Sequence, residues 1–347
     1  LQLIDKKNEY IIFAKEDKDR ACIRETDNFK IREIPASSFP VWEQVKLPNV
    51  VNAEKLDLLH CTANTSPVFS PVPTLVTLHD VIFMESLAIR GNYYQNLGNI
   101  YRRIILSQTI RNCKKIITVS ESEKLVIQKT FAINPELIDV IYNAVDNSFH
   151  KMDRSEVEPI RKKFGLPERF ILFFGNSAQK KNTLNTVMGY LHYARQTDNS
   201  IPLVIAGAFE SYVQEELDRL RLSPQDRKKI KLIGHIPFRE QPAVYNLADL
   251  FLYTSTRESF GMPILEAMAC GTPVITSNTS CMPEIAGNAA ALVDPFDEKS
   301  ISSGIDKVLG SAQYGNQLIQ LGLEKVKQFS WEKSAMKTIE LYNTILN

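Results

Sequence analysis

Short apolar runs alternate with longer stretches of helical character along most of the chain. In the first half, Tyr10–Ala14, Thr74–Leu78, Lys115–Val119 and Asp139–Tyr142 read as strands. In the second, Phe170–Phe174, Leu203–Ala206, Ile230–Ile233, Leu250–Tyr253 and Pro273–Thr276 do. Strand and helix in turn is the order of βαβ units, which build parallel sheets. Ser120-Glu121-Ser122-Glu123 has the capping-box spacing and predicts a helix over 121–131, with Ser120 as its cap. The stretch Asp146–Pro159 is charged and lacks a clear period, and the domain boundary is placed there. The prediction is α/β: two tandem doubly wound parallel sheets, domains 1–150 and 151–328, each with helices on both faces. Such sheets bind ligands at the carboxyl ends of their strands. Two of them facing across a cleft can hold a nucleotide on one side and an acceptor on the other.

Composition narrows the partners. The 347 residues suit about two domains. A formal net charge of +1 speaks against a nucleic-acid partner. No apolar run approaches the roughly 18 residues of a membrane span. Cys22, Cys61, Cys113, Cys270 and Cys281 are scattered with no C-x-x-C, which suits a reducing, cytoplasmic setting. The chain opens on Leu1 without a signal-peptide pattern, and Leu1–Tyr10 reads as a helix tail, a turn and a strand.

Candidate chemistry gathers in three places. In Arg257–Ile275 a strand gives way to a loop carrying Glu258 and Gly261, then to a helix with Pro263 at its start and Gly271 at its close. Free N–H groups at Gly261 and Met262 would make an anion site at the helix N-terminus. Glu258 and Glu266 repel phosphate but suit sugar and ribose hydroxyls as acceptors. Two solvated glutamates on a plain strand–loop–helix fit the same spacing. The second place is Gly175–Asn182, where Lys180 and Lys181 follow a strand and can neutralise a diphosphate; a solvated loop also fits. The third is His79, at the end of the Thr74–Leu78 strand; His60 ends another strand and ranks lower. Asn143 and Asp146 read as structural. Asp17-Lys18-Asp19 has D-x-D spacing inside a charged turn and reads as solvated. No other cluster has metal-ligand spacing, so metal-independent catalysis is expected. In Tyr93–Lys115, Ile100, Ile104 and Ile105 suggest an apolar face beside basic Arg102, Arg103, Arg111, Lys114 and Lys115. That is read as a helix packed on its own sheet, with a surface for anionic lipid as the alternative.

Glu258 and Glu266, with seven residues between them, resemble the E-x7-E motif of retaining glycosyltransferases of the GT-B fold. The segment from Glu258 to Val274 is similar to glycosyltransferase family 4, as are Asn278–Pro295, Phe329–Glu332, Thr77–Asp80, Thr118–Ser120 and Ile141–Asp146. Within the family the chain looks most like the mannosyltransferase-like enzymes of bacterial polysaccharide assembly. The resemblance implies a hexosyltransferase that moves a sugar from a nucleotide sugar, GDP-mannose as first guess, to a glycan or lipid-linked acceptor. It implies no cofactor beyond that donor, and possible peripheral contact with the inner membrane surface. The donor site would comprise Gly175, Lys180, Lys181, Glu258, Phe260, Gly261, Met262 and Glu266. His79, Glu258 and Lys181 would be catalytic, with His79 near the donor sugar and the acceptor. Segment 329–347 would be a helix crossing back to the first domain. In the family the basic loop reads G-x-x-x-P-R-K-N; Gln179 and Lys180 replace its proline and arginine, so Lys181 is the firmer assignment. Family members also begin with a strand, a glycine-rich loop and a helix that would precede Leu1; either the sequence is truncated, which is the expectation, or the protein lacks that element. A non-catalytic homologue serving as a scaffold is the rival reading.

Overall fold

The computed structural model describes residues 1–15, 24–85, 93–198, 200–207 and 210–347. Asp17-Lys18-Asp19 and Cys22 lie outside them, as do the side chains of Tyr93 and Tyr94. The chain divides into two units, Leu1–Tyr142 with Trp331–Asn347, and Asn143–Ser330.

The described residues of the first unit contain six strands: β1 Tyr10–Lys15, β2 Phe29–Ile34, β3 Leu59–Cys61, β4 Thr74–Leu78, β5 Lys115–Thr118 and β6 Ile138–Val140. β3 to β6 form a parallel sheet in sequence order, and β1 and β2 pair separately, also in parallel. The expected single sheet is therefore two. β2 escapes the sequence reading because FKIREI mixes charge into a strand that leaves one edge of a two-stranded pair in water. β4 is buried at every residue, as parallel strands covered on both faces are. Side chains alternate along a strand. Val76 and Leu78 thus face a core with Leu106, Ile110 and Ile127, while Leu75 faces Leu341 and Tyr342 of the Trp331–Leu346 helix.

The Glu121–Phe131 helix has its predicted bounds, with Ser120 Oγ accepting the Glu123 N–H at 3.0 Å. The Tyr93–Asn112 helix departs from expectation. Leu106, Thr109 and Ile110 are its buried face, and Leu97, Ile100 and Ile104 are exposed. Two residues along a helix is a turn of about 200°, so Ile104 points away when Leu106 points in. The stretch expected to lack a period holds a helix over Arg154–Phe164, opened by an Asp153–Glu156 capping box. Pro159 and its charges hide the periodicity there.

The second unit holds β7 Ile171–Phe174, β8 Leu203–Ala206, β9 Ile230–Gly234, β10 Leu250–Tyr253, β11 Val274–Ser277 and β12 Ala291–Val293. They form one sheet in the order β12-β11-β10-β7-β8-β9, every pair parallel. The Thr183–Gln196 and Glu298–Gly310 helices meet at Gly189, where any side chain would run into Ile301. In this winding the chain reverses direction across the sheet between β7 and β10. The crevice for a ligand opens there, beyond the carboxyl ends of those two strands.

Candidate active site

Two loops build the site, one leaving the carboxyl end of β7 and the other that of β10. After β7, Gly175 stays in register through its N–H to Ala206 O at 2.8 Å. A side chain there would come within 2.6 Å of Ile205, so packing alone requires glycine. Asn176 and Thr183 exchange hydrogen bonds at 2.7 and 3.1 Å and close the loop. A single 3-10 turn, Gln179–Lys181, ends at Asn182, which takes the left-handed conformation at φ 59°. The buried Asn182 amide donates to Thr254 O at 3.0 Å and to Pro295 O at 2.7 Å. Thr256 N–H reaches Lys180 O at 2.8 Å. The two loops are thus fastened to each other through backbone carbonyls.

That fastening brings both lysines to Glu258. Lys181 Nζ donates to Glu258 Oε1 at 2.7 Å, and Lys180 Nζ to Oε2 at 3.3 Å. Lys181 also lies 5.4 Å from the centre of the Tyr253 ring. Glu258 is buried; burial pushes its pKa up, but the two ammonium groups outweigh that and hold it below the ordinary value. It is a carboxylate at neutral pH. Ser280 steadies its backbone, accepting the Glu258 N–H at 3.2 Å and donating to Glu258 O at 2.6 Å.

The Met262–Ala269 helix comes next, starting from Gly261 at φ 88°. That conformation belongs to glycine, and here it turns the chain sharply into the helix. Pro263 stands in the first turn, where a missing N–H costs nothing. The helix closes at Gly271, φ 74°, as the sequence predicts. Its apolar residues from Ile264 to Ala269 are buried, which fixes the direction of its N-terminus. Phe260 is buried and packs edge-on against Phe329, with ring centres 5.8 Å apart.

Glu266 sits one turn further, nearly buried. The Tyr245 hydroxyl donates to its Oε2 at 2.9 Å. Burial raises the Glu266 pKa and the Tyr245 hydrogen bond offsets only part of that. Tyr245 has no mark in the sequence: it comes from the Gln241–Leu247 helix and meets Glu266 only through the fold. Asn182 is legible as a turn residue but its two carbonyl partners are not. Cys270 and Cys281, both close by, are pushed up to about 12 by burial and are poor nucleophiles.

The structure therefore joins Lys180, Lys181 and Glu258, with Gly175, Phe260, Gly261, Met262 and Glu266 on the same strand-end loops or the helix they open. His79 belongs to the other unit, at the end of β4. Its N–H donates to Asn64 Oδ1 at 2.7 Å and its Nε2 lies 3.0 Å from Thr62 O. His60 is fixed between Tyr342 Oη at 2.7 Å and Thr77 Oγ1 at 2.8 Å, which is a structural role. Among the described residues, no group of three or more His, Cys, Asp or Glu could hold a metal ion. No helix among them is long and apolar enough to cross a membrane.

Comparison with known proteins adds the family. The sequence model for Glycosyltransferase Family 4 matches residues 2–149, and that for Glycosyl transferases group 1 matches residues 156–325. The O-antigen chain mannosyltransferase B of Escherichia coli is 28% identical over 78% of this chain and 70% of its own. The O-antigen chain mannosyltransferase RfbU of Salmonella typhimurium is 29% identical over 73% of this chain and 67% of its own. Among solved structures, Anabaena Alr3699/HepE in complex with UDP superposes with a TM-score of 0.70 at 19% identity, covering 91% of this chain and 86% of that one. The first half thus carries a Glycosyltransferase Family 4 domain and the second a Glycosyl transferases group 1 domain, and with parallel sheets in both units the chain is a glycosyltransferase of the GT-B fold.

Proposed function

We propose that this protein is a retaining mannosyltransferase. It moves mannose from GDP-mannose to a glycan or lipid-linked acceptor in bacterial polysaccharide or lipopolysaccharide assembly. The observation that carries the reading is the pairing of Glu258 with Lys180 and Lys181 at the point where the six-stranded sheet reverses. Transfer leaves a nucleoside diphosphate, so positive charge must wait where the bond breaks. Lys181, with Lys180, supplies it, and the N–H groups at Gly261 and Met262 add the helix N-terminus. Catalysis is metal-independent if these groups carry the whole charge. Glu258 accepts hydrogen bonds from sugar hydroxyls, and Glu266 from the ribose. His79 is assigned to the acceptor side. The choice of mannose rests on the names of the O-antigen relatives.

Membrane contact and a cytoplasmic location belong to the same proposal. Leu97, Ile100 and Ile104 stand exposed on one stripe of the Tyr93–Asn112 helix, with exposed Arg111 and Lys114 at its end. Apolar and basic side chains together suit an anionic lipid surface, where a lipid-linked acceptor would lie.

The test is slow hydrolysis of GDP-, UDP- and dTDP-sugars, each with and without EDTA, with the released sugar followed by NMR. GDP-mannose should be consumed in EDTA and release the anomer of the donor. Preference for another nucleotide sugar overturns the donor, loss in EDTA overturns metal independence, and the opposite anomer overturns retention. Tight nucleotide binding with no turnover of any donor or transfer to any acceptor favours the scaffold reading.

A further inference from the structure

Glu266 and Tyr245 form a pair that the proposed chemistry leaves half explained. Tyr245 is wholly buried, and its ring is held edge-on by Phe149, Phe174 and Phe251 at 6.0, 5.6 and 5.1 Å between centres. Its carbonyl accepts the Thr272 hydroxyl at 2.6 Å, so backbone and ring are both fixed. The phenol has one place to go, and it donates to Glu266 Oε2 at 2.9 Å. The other oxygen, Oε1, takes no hydrogen bond from any described residue. A carboxylate with both oxygens free rotates about its last bond. One held at a single oxygen by a rigid donor presents the other in a set direction.

We infer that Tyr245 is a positioning residue for the nucleotide: it fixes Glu266 Oε2 so that Oε1 faces the ribose hydroxyls. The inference rests on the donor reading above, in which Glu266 meets the ribose. Tyr245 itself makes no contact with substrate. Its effect reaches the donor only through Glu266, and it therefore bears on binding more than on the chemical step.

Tyr245→Phe tests this, since it removes one oxygen and keeps the packed ring. Binding of GDP and UDP, each beside its 2′,3′-dideoxy counterpart, is measured by calorimetry for wild type, Tyr245→Phe, Glu266→Gln and the double variant. Tyr245→Phe should weaken the ribonucleotide about tenfold and the dideoxy form less than twofold. With the donor sugar, KM should rise while kcat holds. In the Glu266→Gln background the Tyr245 change should have little further effect. A purely structural role would weaken both nucleotide forms equally, and that result overturns the inference. So does tighter ribonucleotide binding in Tyr245→Phe, which would mean that the phenol competes with the ribose for Glu266. If Glu266→Gln itself fails to alter the preference for ribose, or neither nucleotide binds wild type, the donor reading fails and this inference with it.

Discussion

Glu258 keeps its charge inside the second unit because two ammonium groups stand against it at 2.7 and 3.3 Å. Glu266, in the helix just beyond, meets no cation among the described residues and has only the Tyr245 phenol, so burial wins and its pKa rises. That direction sets the sign of its effect on stability. A carboxyl whose folded pKa lies above its unfolded value takes up protons on folding, so stability falls as pH rises through that window. At neutral pH the ionised Glu266 is a standing cost. Glu266→Gln should raise the melting temperature at pH 7 and weaken nucleotide binding about tenfold; calorimetry and titration check the two effects together. Both glutamates were legible in the sequence through their spacing. Their unlike environments were not, because the lysines and Tyr245 reach them from other loops and helices. Lys180 and Lys181 stand 78 and 77 positions before Glu258 in the chain.

At the scale of elements, the turns read true where local chemistry sets them. Gly261, Pro263 and Gly271 announce the start and end of one helix, and Ser120 announces another. What the sequence hid were elements whose character depends on neighbours: the charged edge strand β2 and the capped helix carrying Pro159. The loop after β7 depends on Asn182, whose amide satisfies two carbonyls just beyond the ends of β10 and β12. Asn182→Ala strands both and puts an alanine at positive φ. It should cost about 3 kcal/mol in urea unfolding. The Tyr93–Asn112 helix reverses its expected face, since Leu106 and Ile110 fill the core and leave Ile100 and Ile104 outside. Ile100→Ser with Ile104→Ser should leave stability nearly unchanged and reduce binding to anionic vesicles at least about fivefold. Unchanged vesicle sedimentation removes the lipid surface from the account.

For the whole molecule, the last helix returns to the first unit and covers the sheet face opposite Leu106. Its Tyr342 hydroxyl meets His60 at 2.7 Å, and Leu341 and Tyr342 complete the core around Leu75. His60 is half-buried, and loss of solvent pulls its pKa from the ordinary 6.5 down to about 4, with His79 adding to the effect. A histidine kept neutral by folding makes the unfolded chain the better proton acceptor. Stability should therefore fall as pH drops from 6.5 through 4, by about 3 kcal/mol in all, and His60→Gln should flatten that slope. Denaturant melts at steps across this range measure it. The tandem of sheets was readable from strand–helix alternation and the lone pair β1–β2 was not, because register and partner are settled only when the chain folds.

The most direct measurement compares turnover of the donor sugar by wild type, Glu258→Gln and Lys181→Ala, in EDTA and with nucleotide binding measured in parallel. Both variants should still bind the nucleoside diphosphate within about tenfold of wild type, while turnover falls about a hundredfold or more. Turnover that survives either substitution would contradict the placement of the chemistry at Glu258 and Lys181.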